Sequence, residues 1–71
     1  MEGVSDKAEK VYNAMKSAGF TDEEKMANVD RITALAKLPK NFVINALQEL
    51  ERTGYAKRKA REKSAGYYII K

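Results

Sequence analysis

Lys57, Arg58, Lys59, Arg61 and Lys63 place five cations within seven positions, opposed only by Glu62. A cluster this dense attracts a polyanion through Coulomb steering and counterion release. It also serves as a solvated face that keeps a chain soluble, so its position in the fold has to separate the two readings. A second set lies upstream, at Lys40, Asn41, Ile44, Asn45 and Gln48. Asn and Gln side chains can each form two hydrogen bonds with adenine, and an isoleucine can contact a thymine methyl. Amides on a helix surface are often no more than polar filler, but an exposed Ile44 would gain nothing from facing bulk water, which favours the functional reading.

Other chemistry is excluded by what the chain lacks. Without cysteine or histidine there are no disulfides, zinc fingers, thiol nucleophiles or imidazole acid-base groups. Asp22, Glu23 and Glu24 cluster as a metal site would, but they equally suit a helix N-terminus, where carboxylates complement the dipole; the second reading is taken. No phosphate-cradling glycine loop or nucleophile-base pair is found, so neither an enzyme nor a bound cofactor or metal is expected. Tyr12, Tyr55, Tyr67 and Tyr68 fall at packing positions and read as core residues, not base-stacking platforms.

The chain has 71 residues, 44% of them hydrophobic and 34% charged, and ten of the hydrophobic residues are alanine. A chain this short buries only about 60% of its unfolded surface, so nearly every large apolar residue is needed for the core. One domain spanning 1–71 is expected. No apolar run approaches the roughly 20 residues that span a bilayer, and residues 1–20 lack the hydrophobic stretch of a signal peptide. The expectation is a soluble cytoplasmic, nucleoid-associated protein with no membrane partner.

The net charge of +4 is unevenly divided. Residues 1–38 hold six basic and seven acidic side chains, whereas residues 39–71 hold eight basic and three acidic. The half that carries both candidate sets is therefore the positive one.

These sets need elements to position them. Ser5 and Asp6 are N-cap residues, Glu9 stands three after Asp6 as in a capping box, and Val4, Ala8, Val11, Tyr12, Met15 and Ala18 recur at helical steps. Helix 1 is thus predicted from about Asp6 to Ala18, with Gly19 as a left-handed stop and Phe20 folding back. Thr21-Asp22-Glu23-Glu24 resembles a second capping box, followed by Met26, Val29, Ile32, Leu35 and Ala36. A helix starting near Asn28 or Val29 is preferred over one long helix, since Asn28 is itself an N-cap residue. Pro39 forces that helix to stop near Lys37 or Leu38 and opens a third as its first residue. Val43, Ala46, Leu47 and Leu50 form the buried stripe of this helix, flanked by Phe42, and Gly54 ends it. The periodicity then changes, and Tyr55 to Ala60 and Gly66 to Ile70 read as antiparallel strands around a charged tip at residues 61–65.

Three helices followed by a hairpin make an α+β, mainly α, arrangement that resembles the winged helix-turn-helix superfamily of small prokaryotic and archaeal regulators. Ile32, Leu38-Pro39, Val43, Leu47, Leu50 and Gly54-Tyr55 carry the resemblance over nearly the whole chain. The winged-helix domains that bind left-handed nucleic acid share the Pro39-Lys40 start. Their specific asparagine and tyrosine would fall at Ile44 and Gln48, so the resemblance to that subgroup stops there. The superfamily resemblance implies helix 3 in the major groove of duplex DNA, with Lys40, Asn41, Ile44, Asn45 and Gln48 toward the bases. It implies a wing whose Lys57, Arg58, Lys59, Arg61 and Lys63 meet the backbone or a minor groove.

The reading is a DNA-binding transcriptional regulator or small chromatin-associated factor, monomeric or a weak homodimer. The rival is an interaction module whose basic hairpin docks on an acidic protein partner, and structured RNA is a third candidate. Two features count against base readout: helix 3 has no arginine before Arg52, which makes guanine readout unfavourable, and Glu49 and Glu51 would repel phosphate unless they point away.

Overall fold

The computed structural model describes residues 3–60 and 65–71. Its elements run α1 (Asp6–Ala18), a 3₁₀ turn (Glu23–Lys25), α2 (Val29–Ala36), α3 (Lys40–Arg52), β1 (Ala56–Ala60) and β2 (Ala65–Ile69). The layout is winged-helix-like, with three helices followed by a two-stranded antiparallel hairpin.

Local chemistry sets the helix ends. Ser5 is extended and its Oγ accepts from the Ala8 N–H at 3.3 Å, so Ser5, not Asp6, caps α1. With the cap there, Glu9 falls one position beyond a capping box. At the other end Gly19 has φ 85, its N–H reaches Lys16 O, and Phe20 N–H reaches Met15 O at 3.0 Å. These two hydrogen bonds satisfy two terminal carbonyls and fold the buried Phe20 onto the last turn. The Thr21-to-Glu24 signature yields only the 3₁₀ turn, and Asp22 at its start makes no side-chain cap bond. The chain breaks before α2 because Asn28 Oδ1 accepts from Arg31 N–H at 2.8 Å, which fixes a new helix start.

Lys37 ends α2 in the left-handed region, at φ 57 and ψ 38. Pro39 then differs from expectation by one residue: it is the N-cap of α3, not its first helical residue. Its ψ of 146 is extended, while its carbonyl accepts from Phe42 N–H at 3.0 Å and Val43 N–H at 3.1 Å. The turn between the two helices is therefore only Lys37 to Pro39. At the far end Gly54, again at φ 85, repeats the Gly19 arrangement, with Tyr55 N–H bonded to Leu50 O at 2.9 Å.

In the hairpin Ala56 pairs with Ile69, Lys57 with Tyr68, Arg58 with Tyr67, Lys59 with Gly66 and Ala60 with Ala65. The strands begin one residue from where periodicity places them. The other edge of β2 is also occupied. Ala27 exchanges both backbone hydrogen bonds with Tyr67, at 3.0 and 2.8 Å, and Ile69 N–H reaches Phe20 O at 2.8 Å. The chain between α1 and α2 thus serves as a third, minimal strand that ties the hairpin to the helices. Two strands alone would be marginal in water.

The core is built from Val11 and Met15 of α1, Ile32 of α2, and Val43, Leu47 and Leu50 of α3, with Ala27, Ala56, Tyr67 and Ile69 closing it from the sheet side. All four tyrosines are half-buried or buried. Tyr12 meets Tyr55 edge to face at 5.7 Å, and its hydroxyl donates to Lys71 O. Leu35 departs from the predicted stripe and is 43% exposed. In an eight-residue helix Ile32 and Ala36, one turn apart, already fill the inward line, and Leu35 falls beside it.

Candidate nucleic-acid interface

The exposed surface of α3 follows from which of its positions the core takes. Val43, Ala46, Leu47 and Leu50 are buried, which turns Asn41, Asn45, Gln48 and Arg52 outward along a line of four-, three- and four-residue steps. The three amides make no side-chain hydrogen bond to any described residue. This contrasts with Asn28, whose amide is engaged in capping α2.

Residues on both flanks of that line meet the neighbouring helices. On the side toward α1, Glu49 is half-buried and accepts from Ser5 N–H at 3.1 Å and from Ser5 Oγ–H at 2.7 Å. The carboxylate that a capping box would draw from the helix's own first turn is supplied instead by another helix. One consequence is that Glu49 does not project from the outward face. Phe42 lies on the same flank, 40% exposed, with Lys7 Nζ 3.6 Å from its ring centre. On the side toward α2, Lys40 Nζ pairs with Asp30 Oδ1 at 3.1 Å. Ile44, one turn further on, is half-buried and not exposed as expected, because it sits at the margin of the helix packing. Glu51 stays exposed on this flank.

On the wing, β1 is exposed from Lys57 to Ala60. Strand alternation and register put Lys57 and Lys59 on the face of Tyr68 and Gly66, and Arg58 on the face of Tyr67 and Ile69. The absence of a side chain at Gly66 makes room for Met26, whose Cγ would lie 2.6 Å from a Cβ there. Lys59 Nζ is ion-paired with Glu23 of the 3₁₀ turn. Arg61 and Lys63 lie outside the described residues.

Of the candidate cations, Lys57 and Arg58 form no ion pair with a described residue, while Lys40 and Lys59 have carboxylate partners. These pairs are solvent-exposed, so their contribution to stability is small and a competing phosphate can replace the carboxylate. Sequence reasoning passed over Arg52 as part of the outward line, although the spacing 41, 45, 48, 52 carries it. It also gave no sign of the roles of Asp30 and Glu23, which depend on neighbours distant in sequence.

Among the described residues, no group of three or more His, Cys, Asp or Glu is placed to hold a metal ion, so Asp22, Glu23 and Glu24 form no such site. No helix among them is long and apolar enough to cross a membrane.

No family model matches the sequence, and no curated protein matches it significantly. Solved structures do match its shape. The DNA-binding fragment of TubR from Clostridium botulinum superposes with a TM-score of 0.80 at 20% identity, over 94% of this chain and 84% of that one. The N-terminal domain of a DNA-binding protein superposes with a TM-score of 0.71 at 14% identity, over 99% of this chain and 63% of that one. At these identities the likeness is one of fold, and this chain shares the fold of both structures.

Proposed function

We propose that this chain binds duplex DNA, with α3 in the major groove and the basic hairpin on the phosphate backbone. The observation that carries the reading is the outward line of α3, where Asn41, Asn45, Gln48 and Arg52 stand free on the second helix of a helix-turn-helix. Lys57 and Arg58 stand exposed on the strand that follows it. Both matching structures are of DNA-binding proteins, which supports the same reading. A transcriptional regulator or small chromatin-associated factor is the role that such a domain fits, with Lys40, Ile44, Lys59, Arg61 and Lys63 completing the contact surface. The chain acts as one domain, monomeric or weakly dimeric.

The test is a titration of random-sequence duplex DNA at two salt concentrations, with chemical-shift mapping on labelled protein. Affinity should fall steeply with salt, by about 0.9 log units per log unit of salt for each phosphate contact. Replacing Lys57 and Arg58 with alanine should weaken all sequences alike and reduce that slope by about two. Shifts confined to residues outside α3 and β1, or no binding at low salt, would defeat the proposal and favour a basic hairpin that docks on an acidic protein.

A further inference from the structure

We infer that the α3 surface selects a short run of A·T pairs read in the major groove, an inference that rests on the DNA-binding reading above. Base choice in a groove is set by donors and acceptors. In the major groove guanine offers two acceptors and is bound by arginine or lysine, cytosine offers a donor and is bound by a carboxylate, and adenine offers one of each and is bound by an amide.

The outward line of α3 carries neither of the first two options before Arg52, because it runs through Asn41, Asn45 and Gln48, and exposed Glu51 lies on its flank toward α2. Lys40, at the start of the helix, pairs with Asp30 in an exposed contact that a phosphate can displace, so it serves the backbone and not a base. Glu49 is held by both the N–H and the hydroxyl of Ser5. Asn41, Asn45 and Gln48 are all exposed and all unpaired with any described residue. Each carries a donor and an acceptor in the geometry that adenine requires. Half-buried Ile44 beside them presents apolar surface to a thymine methyl.

Asn41 to Gln48 spans about 10 Å at the helical rise, which is about three base-pair steps. Arg52 lies one turn further, at the end of the helix, where the chain departs for β1. A straight helix diverges from a curved groove over that distance, so Arg52 meets the backbone. Its contribution is to affinity and helix direction, not to base choice.

Three duplex pools of equal length test this, with six central positions randomised between A and T, between G and C, or between inosine and cytosine. An inosine·cytosine pair shows the major-groove pattern of G·C but lacks the guanine amino group, so its minor groove looks like that of A·T. Fluorescence anisotropy at fixed salt should show the A·T pool bound about fivefold or more tighter than both others. Asn45→Ala and Gln48→Ala should erase that difference and leave the salt slope unchanged. Arg52→Ala should weaken all three pools equally and lower the slope by about one. If the inosine pool binds like the A·T pool and tighter than G·C, the selection is made in the minor groove and the inference is overturned. Equal, salt-dependent binding of all three pools also overturns it but leaves the DNA-binding reading standing. Failure to bind any pool at low salt removes that reading itself.

Discussion

The contact between Ser5 and Glu49 joins the stability of the domain to the character of its α3 surface, and it can be measured. Ser5 caps α1 through the Ala8 N–H, a bond whose loss costs about 1 kcal/mol at a typical N-cap. Glu49 adds two hydrogen bonds to the same residue, at 3.1 and 2.7 Å, both at an exposed site. At such a site each is worth roughly 0.5 kcal/mol, and a carboxylate at a helix N-terminus contributes about 0.3–1 kcal/mol more. Glu49→Ala should therefore cost about 1–2 kcal/mol, Ser5→Ala a similar amount, and the double variant less than their sum by about 0.5–1 kcal/mol. Urea unfolding of the four proteins, followed by far-ultraviolet circular dichroism, gives all three quantities. DNA titration supplies a second readout. Glu49→Gln should leave DNA affinity nearly unchanged because the carboxylate is turned toward α1, whereas Glu51→Gln, on an exposed flank, should raise it. A coupling energy below about 0.3 kcal/mol would refute the contact. An equal rise in DNA affinity for both glutamines would refute the assignment of the outward face.

Three further outcomes are expected. Leu47→Ala removes a fully buried side chain and should destabilise the domain by about 2–5 kcal/mol; a loss under roughly 1 kcal/mol in denaturant unfolding would mean the core face of α3 is misassigned. Gly54→Val should cost far more than Thr53→Val, because φ is 85 at Gly54 and no atom lies within 4 Å of a Cβ there, so the penalty is one of backbone conformation; equal thermal shifts would contradict it. Gly66→Ala should cost about 1–3 kcal/mol by driving its Cβ into Met26, and Met26→Ala in the same chain should recover most of that loss; no recovery would place Met26 elsewhere.

Much of this fold was legible because it is decided locally. The bounds of α1, the break at Asn28, the stop before Pro39 and the Gly54 end each depend on residues within about one turn. There the side-chain type fixes which backbone groups are satisfied. The inward stripe of α3 was legible for a related reason: a helix must bury its apolar line, and Val43, Leu47 and Leu50 leave one choice. Alternation likewise separated Lys57 and Lys59 from Arg58. What tertiary structure decided is every feature in which residues far apart in sequence compete for one group. Ser5 could have drawn a carboxylate from its own helix but took Glu49, 44 positions away. Lys59, one cation among five in sequence, became the partner of Glu23. Ala27 carries no strand signal, yet the free edge of β2 had backbone groups to satisfy and Ala27 was within reach. The same competition shaped the candidate site. Sequence periodicity could place Asn41, Asn45 and Gln48 on one face, but only the packing of α1 against α3 turned Glu49 aside. A hydrogen bond or ion pair goes to whichever partner the folded chain brings within about 3 Å, and one-dimensional spacing specifies that distance only within a helix or strand.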